Sequence, residues 1–375
     1  MRQIVIATDS FKGSLSSGEV AEAFAEGWLE ILPDCDIRKV RVADGGEGTL
    51  EALVETLCGE YVDVAVHDPL HRTIEARYGI VNGNTAVIEM AAASGLPLLT
   101  DEERNPMKTS TYGTGEMIVD ALERGCRNIL LGIGGSATND CGVGMLRALG
   151  YRFLDNGGNE LSGGGEILAQ IATIDDSHRA QALDECHFVV ACDVNIPLYG
   201  KQGAAYIFAP QKGADQAMVE ALDRGLRNFA EVVKRHNGSE IGEMKGAGAA
   251  GGLGGGITAL LGGRLEQGVE LVLRKMDFDS IIADCDLVIT GEGKLDHQTV
   301  MGKAPSGVLA AAQRQGIPVI AIGGAVESCD KLLDSGFVAI ECVTPDGMEK
   351  KEAMTSVTAK ENVRNTACRI AQRYL

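Results

Sequence analysis

Two lysines and a series of carboxylates recur in glycine-rich turns of this chain, and residues of these types in such turns can neutralise phosphate and hold a metal ion. The first turn, Asp9-Ser10-Phe11-Lys12-Gly13-Ser14, follows an apolar run and precedes a helical pattern. Lys12 can act there as a point charge on a phosphate or carboxylate, Asp9 can hold a metal or orient that lysine, and Ser10 and Ser14 can bind anionic oxygens. Ser14, Ser16 or Ser17 can equally cap the helix that follows, but capping does not call for a lysine. The second turn, Asp44-Gly45-Gly46-Glu47-Gly48-Thr49, also opens a helix. Asp44 and Glu47 could hold Mg²⁺ through water, although acids also favour a helix N-terminus for its dipole.

The third turn, Gly134-Gly135-Ser136-Ala137-Thr138-Asn139-Asp140, offers consecutive backbone N–H groups and two hydroxyls. It reads as an anion cradle with Gly134, Gly135, Ser136 and Thr138 in contact, and it lacks the lysine of a Walker A loop. In the fourth, Asp193 stands at a strand end, where a general base or metal ligand would sit; an ordinary loop aspartate is the other reading. The fifth contains Gly246-x-Gly248-x-x-Gly251, a literal dinucleotide fingerprint, but residues 241–245 make no convincing strand before it. An NAD(P)-dependent oxidoreductase acting on a small hydroxy acid is therefore the alternative function. The sixth turn, Thr290-Gly291-Glu292-Gly293-Lys294-Leu295-Asp296, delivers two acids and a lysine after a strong strand, with Lys303 at the next helix entrance. His67 and His71 are four apart, but Pro69 between them opposes the helix that a two-histidine metal face needs.

These turns need a parallel sheet to present them. Residues 3–8 and 37–42 read as strands, and Val20, Phe24, Trp28 and Leu32, spaced four apart, predict an amphipathic helix over 18–32. A helix over 47–57 completes a βαβα unit. The tail supplies strands at 286–290, 317–322 and 337–342, with helices beginning near Ala304, Ser328 and Thr358. Together these five strands predict a doubly wound sheet, with ligands at its carboxyl edge. The middle of the chain becomes an insert: strands at 74–81 and 85–90 joined by Asn82-Gly83-Asn84, a helix over 114–124, a strand at 129–133, a helix over 141–149, a strand at 187–192 and a long helix over 215–236. The expected domains are 1–64 plus 276–375, and 65–275, with the active site in the cleft between them.

At 375 residues with 45% hydrophobic content, the chain can bury two cores. The net charge of −19 excludes nucleic acid and anionic membrane as partners, both of which need a basic footprint. A few local lysines still suit an anionic small substrate. The ten cysteines include no Cys-x-x-Cys pair and mostly sit in apolar runs, predicting buried reduced thiols. With no signal peptide and no membrane-length apolar stretch, the cytoplasm is the expected location. Oligomeric state is open, a homodimer included.

Several long motifs carry a resemblance: Asp9 to Leu15, Ala43 to Thr49, Ile88 to Gly95, Gly132 to Thr138, Phe208 to Ala214 and Ile289 to Lys294. In these, nearly end to end, the chain resembles the bacterial glycerate kinase family. The resemblance implies a discontinuous Rossmann-like domain with a second α/β domain inserted. It also implies ATP-dependent phosphorylation of D-glycerate, typically on the 2-hydroxyl, with ATP and Mg²⁺ as cofactors. Ile196 stands where the family commonly has asparagine, and Cys141 replaces a usual glycine. Phosphoryl transfer needs charge neutralisation, a metal on the phosphates and an aligned nucleophile. The expected roles are Lys12 and Lys294 on phosphate or carboxylate; Asp44, Glu47 and Glu292 toward Mg²⁺; and Asp193 or Asp296 as acceptor of the hydroxyl proton.

Overall fold

The computed structural model describes residues 3–299, 302–327 and 329–374. Its strands are, in chain order, β1 (Gln3–Thr8), β2 (Asp36–Arg41), β3 (Glu60–His67), β4 (Thr73–Val81), β5 (Thr85–Glu89), β6 (Asn128–Gly132), β7 (Arg152–Leu154), β8 (Thr173–Asp175), β9 (His187–Ala191), β10 (Arg264–Glu266), β11 (Leu287–Leu295), β12 (Val319–Val326) and β13 (Ala339–Cys342). Contacts divide the chain into two compact units, one of Met1–Asp44, Glu51–Thr56 and Val269–Leu375, the other of Gly45–Leu50 and Leu57–Gly268.

The first unit is built on a sheet of order β13-β12-β11-β1-β2, parallel throughout. Its three central strands, β1, β11 and β12, carry buried apolar runs because both faces are covered, whereas the edge strands β2 and β13 carry polar residues and are less buried. Ile4, Ile6, Leu287, Ile289, Ile320 and Ile322 share a core with Phe24, Trp28, Val363 and Ile370 from the helices Ser17–Ile31 and Ser356–Ala371. Val5 and Val288, on the alternate face, are equally buried. From β1 the chain moves outward to β2, whereas from β11 it moves the other way to β12 and β13. The switch point therefore lies between β1 and β11, and the crevice beyond their carboxyl ends is where such sheets bind ligands.

The helices Ser17–Ile31 and Ser356–Ala371 approach so closely that a side chain at Gly27 has no room. A Cβ there would lie 2.1 Å from the Arg364 carbonyl oxygen, and the Cys368 thiol already donates to the Gly27 carbonyl at 3.1 Å. Backbone cannot yield as a side-chain tip can. Gly27→Ala is expected to destabilise the protein by about 2–3 kcal/mol through forced separation of the two helices. Urea unfolding checks this; an unchanged midpoint would remove the close approach from the account.

The second unit holds a six-stranded sheet, β10-β9-β6-β5-β4-β3, with β3, β4 and β5 antiparallel and the rest parallel, and a small β7-β8 pair. The Asn82-Gly83-Asn84 turn joins β4 to β5 as a hairpin, with Asn82 and Gly83 at positive φ. The expected boundary at 64/65 cuts through β3, which pairs with β4 along its whole length and so belongs to the second unit. At the other end, Val269 onward, including most of the helix Gly268–Lys275, belongs with the first. The family's usual glycine at position 141 has a local reason: Cys141 stands at φ +53, the left-handed region that favours glycine.

Two further expectations change. The sixth turn is no turn: β11 runs on through Gly291 to Leu295, with Glu292 and Lys294 registered against Gly323 and Ala325 of β12. The helix start near Ser328 lies outside the described residues. The nine described cysteines are free, and Cys58 and Cys342 are exposed instead of buried. Among the described residues no helix is long and apolar enough to cross a membrane.

Candidate active site

Beyond the carboxyl end of β1 and along the last residues of β11, the first unit contains a cavity of about 610 Å³ that gathers Asp9, Ser10, Lys12, Ser14, Asp44, Glu292, Lys294 and Lys303. Local structure explains why these side chains meet. The Asp9 N–H donates to the Gly291 carbonyl at 2.9 Å, extending the β1–β11 pairing by one residue. The chain then folds back on itself, with the Ser14 N–H donating to the Phe11 carbonyl at 2.8 Å and Gly13 at φ +78. Ser16 caps the following helix in a reciprocal box with Glu19. Capping therefore does not consume Ser14, whose hydroxyl oxygen is shielded from water with no partner among the described residues. Across the crevice, β11 lies against this turn at Gly293, where a Cβ would be in ordinary contact, 3.4 Å, with the Lys12 backbone nitrogen and Phe11 Cα.

Asp9 is the most perturbed carboxyl in this cavity. It is 4% exposed, and burial, with the nearby Asp44 charge, pushes its pKa up to about 7 against the lowering pull of the Ser10 N–H (2.6 Å) and Lys12. Burial also raises Glu292, whose oxygens accept from the Thr299 hydroxyl at 2.6 Å and Lys303 Nζ at 3.2 Å. Lys294 Nζ sits 2.9 Å from Glu327 and 3.6 Å from Asp296, and the Glu327 hydrogen bond keeps it firmly protonated. At Asp296 burial raises the pKa, but the Gln298 N–H together with Lys303 and Lys294 outweighs it, and the carboxyl stays below the usual range. Lys12 Nζ lies 3.9 Å from Asp44.

The other expected residues stand in the second unit. The second turn is divided: Asp44 ends a segment of the first unit, whereas Gly45–Leu50 lies at the ends of β6 and β9. A Cβ on Gly45 would strike Ala191 at 2.4 Å, and one on Gly134 would lie 3.2 Å from Gly46. Glu47 is exposed. Among the described residues no group of three or more His, Cys, Asp or Glu side chains is placed to hold a metal ion. The expected trio of Asp44, Glu47 and Glu292 is thus not a preformed cage. The donor set in the cavity still suits Mg²⁺, which binds through one or two carboxylates plus substrate phosphates and keeps its waters. Asp193 accepts the Gly268 N–H at 2.9 Å.

In the third turn Gly134 and Gly135 are exposed, but Ser136 and Thr138 are buried. The reason is Lys212, which the motif Phe208 to Ala214 contained without showing its role. Lys212 is 1% exposed, and its Nζ donates to Ser136 Oγ at 2.7 Å and the Thr138 carbonyl at 2.6 Å, pinning the turn from below. Asp140 holds the far end, accepting from the Thr111 hydroxyl and from the N–H groups of Thr111, Gly142 and Gly144. Burial depresses the Lys212 pKa from 10.5 to about 7. Between those values the unfolded chain binds the proton that the folded protein has shed, so stability rises with pH across this window. Lys212→Met is expected to remove that rise, by roughly 1 kcal/mol per pH unit in the difference between the two proteins. Urea midpoints at pH 7.5 and 9.5 decide it; parallel pH profiles would mean that Lys212 stays charged.

The fifth turn follows no strand. It leads into the helix Ala249–Leu261 with Ala250, Gly251 and Gly252 in left-handed conformation, and Gly251 faces the Thr138 and Asn139 backbone, where a Cβ would meet the Thr138 oxygen at 2.2 Å. These glycines serve packing, and the dinucleotide reading loses the strand-to-helix geometry it requires.

The sequence pattern of the Glycerate kinase family matches residues 4–375. The chain is 46% identical to the glycerate kinase of Halalkalibacterium halodurans over 94% of both proteins, and 48% identical to the glycerate 2-kinase of Escherichia coli K12 over 86% of this chain and 85% of that one. A crystal structure from Salmonella typhimurium LT2, of a protein assigned as glycerate kinase 2, superposes with a TM-score of 0.89 at 45% identity, covering 100% of this chain and 98% of that one. With a family match over nearly its whole length and relatives this similar, the chain belongs to the glycerate kinase family.

Proposed function

We propose that this enzyme transfers the γ-phosphoryl group of ATP to the 2-hydroxyl of D-glycerate, giving 2-phosphoglycerate and ADP. The observation that carries the reading is the cavity at the β1–β11 switch point, which brings Lys12, Lys294 and Lys303 together with the buried carboxyls of Asp9 and Glu292. The name of the E. coli relative, a glycerate 2-kinase, supports the choice of hydroxyl.

Lys12 and Lys294 bind phosphate oxygens as point charges, and the Ser10 and Ser14 hydroxyls donate to them. Ser14 gains most, because its oxygen otherwise lacks a partner. Asp44 and Glu292 would hold Mg²⁺, in part through water, and the ion would supply charge neutralisation on the phosphates. Asp9 accepts the hydroxyl proton: it lines the cavity at the end of β1 and, at 4% exposed, is shielded from competing water. Asp296, held low, is a weaker base, and Asp193 is engaged with Gly268. Gly134 and Gly135, held by Lys212 through Ser136 and Thr138, offer backbone N–H groups to the glycerate carboxylate. The expected interdomain cleft, closing on substrate, belongs to this proposal; scattering profiles unchanged by ATP plus D-glycerate would reject closure.

Incubation with ATP, Mg²⁺ and D-glycerate followed by ³¹P NMR tests the reaction. The expected product is 2-phosphoglycerate; 3-phosphoglycerate would correct the regiochemistry, and no phosphoryl transfer would overturn the reading.

A further inference from the structure

The cavity has a second end of different chemistry. Besides the residues at the ends of β1 and β11 it is lined by Val343, Met348, Met354 and Ala359, with Asn362, Thr344 and Lys350 among them. Neither D-glycerate nor the triphosphate chain needs this surface. D-Glycerate carries an oxygen on each of its three carbons and has nothing apolar to bury, and a triphosphate chain is wholly anionic. A cavity of about 610 Å³ also falls within the range of sites that enclose a drug-sized ligand.

We propose that this apolar end is the subsite for the adenine base of the nucleotide; the inference rests on the reading that the enzyme uses a nucleoside triphosphate. Methionine thioethers are polarisable and pack favourably against aromatic rings, and two of them line this end of the cavity. Met354 also joins the slot to the phosphate end. Its terminal methyl lies 3.3 Å from where a Cβ on Gly13 would stand, so a base beside Met354 is adjacent to the Lys12 turn.

Asn362 selects adenine. It is 6% exposed, on the helix Ser356–Ala371, and its Nδ2 donates to Met348 Sδ at 3.4 Å. Thioether sulfur is a weak acceptor, so the amide gains by exchanging it for a base edge. A carboxamide presents a donor beside an acceptor, which matches the amine and ring nitrogen of adenine. Guanine offers O6 and N7 there, two acceptors, and leaves the Asn362 oxygen facing another oxygen.

Titration calorimetry on the full-length protein with Mg²⁺ and ATP, GTP or inorganic tripolyphosphate tests this. The wild type is expected to bind ATP about tenfold or more tighter than GTP, the discrimination of one matched base contact. Met354→Gln should weaken ATP by about fivefold while leaving tripolyphosphate within about twofold, since only the ring contact is lost. Asn362→Leu should bring ATP and GTP to within about twofold of each other. Equal affinity of the wild type for ATP and tripolyphosphate, or an unchanged ATP affinity in Met354→Gln, would overturn the subsite. Because Met354 is 37% exposed, its variant decides the question even if Asn362→Leu fails to fold. ATP binding as described without transfer to D-glycerate would sink the proposed reaction and leave the subsite standing. Transfer that is indifferent to both variants would do the reverse.

Discussion

Asp9→Asn is expected to lower kcat by about 10³-fold, the loss typical of removing a general base, while making the metal-free protein more stable. The two effects have one origin. Asp9 is held among other acids in a crevice that water scarcely reaches, and folding pushes its pKa from 3.8 to about 7. Between those values the unfolded chain has released the proton and the folded protein retains it, so wild-type stability falls as pH rises from about 4 to about 7 and stays reduced above. Asparagine is nearly isosteric, can still accept the Ser10 N–H, and carries no charge to desolvate. The melting temperature of the metal-free variant at pH 8 should therefore exceed that of the wild type by a few degrees, on the order of 1–2 kcal/mol. Steady-state kinetics and thermal melts measure both. A variant with wild-type turnover would return the base role to Asp193 or Asp296, and one with lower stability would show that Asp9 is paired more favourably than its surroundings indicate.

Lys12→Ala is expected to cut kcat by about 10³-fold without altering the melting temperature. Its side chain is 64% exposed and its contact with Asp44 is long, at 3.9 Å. An exposed pair at that distance contributes little to stability, so the fold should not register its loss. Once bound phosphate covers it, the same charge offsets the negative charge that develops on the phosphoryl group, where water no longer screens it and it counts for far more. Lys12→Arg should recover part of the activity, because the charge is kept and its position shifts. Near-wild-type kinetics for Lys12→Ala would remove this residue from the site.

These two residues were not equally legible. Lys12 declared itself by type, because a lysine between a strand and a helix does nothing for capping. Asp9 stood three residues away and looked like a supporting acid, since its burial and its acidic neighbours come from segments distant in the chain. Lys212 was harder still. It lay within a motif, yet a lysine reads as exposed until the Ser136 and Thr138 oxygens that enclose it are placed. Glu292 and Lys294 read from the sequence as a turn; pairing with β12 extends the strand through both, because Gly291 leaves room for the Ile322 carbonyl of the neighbouring strand.

The sequence by itself determined the central strands of the first unit, whose apolar runs must be covered on both faces, and the residue types at their ends, since residue type and order along the chain are local properties. The tertiary structure alone decided which of those groups share a cavity, where the second turn divides, which carboxyl burial and acidic neighbours push upward, and what apolar surface lines the cavity besides the charges. Each of these depends on neighbours brought together from far apart in the chain, and desolvation and Coulomb energy follow distance in space, which the spacing of residues along a chain does not encode.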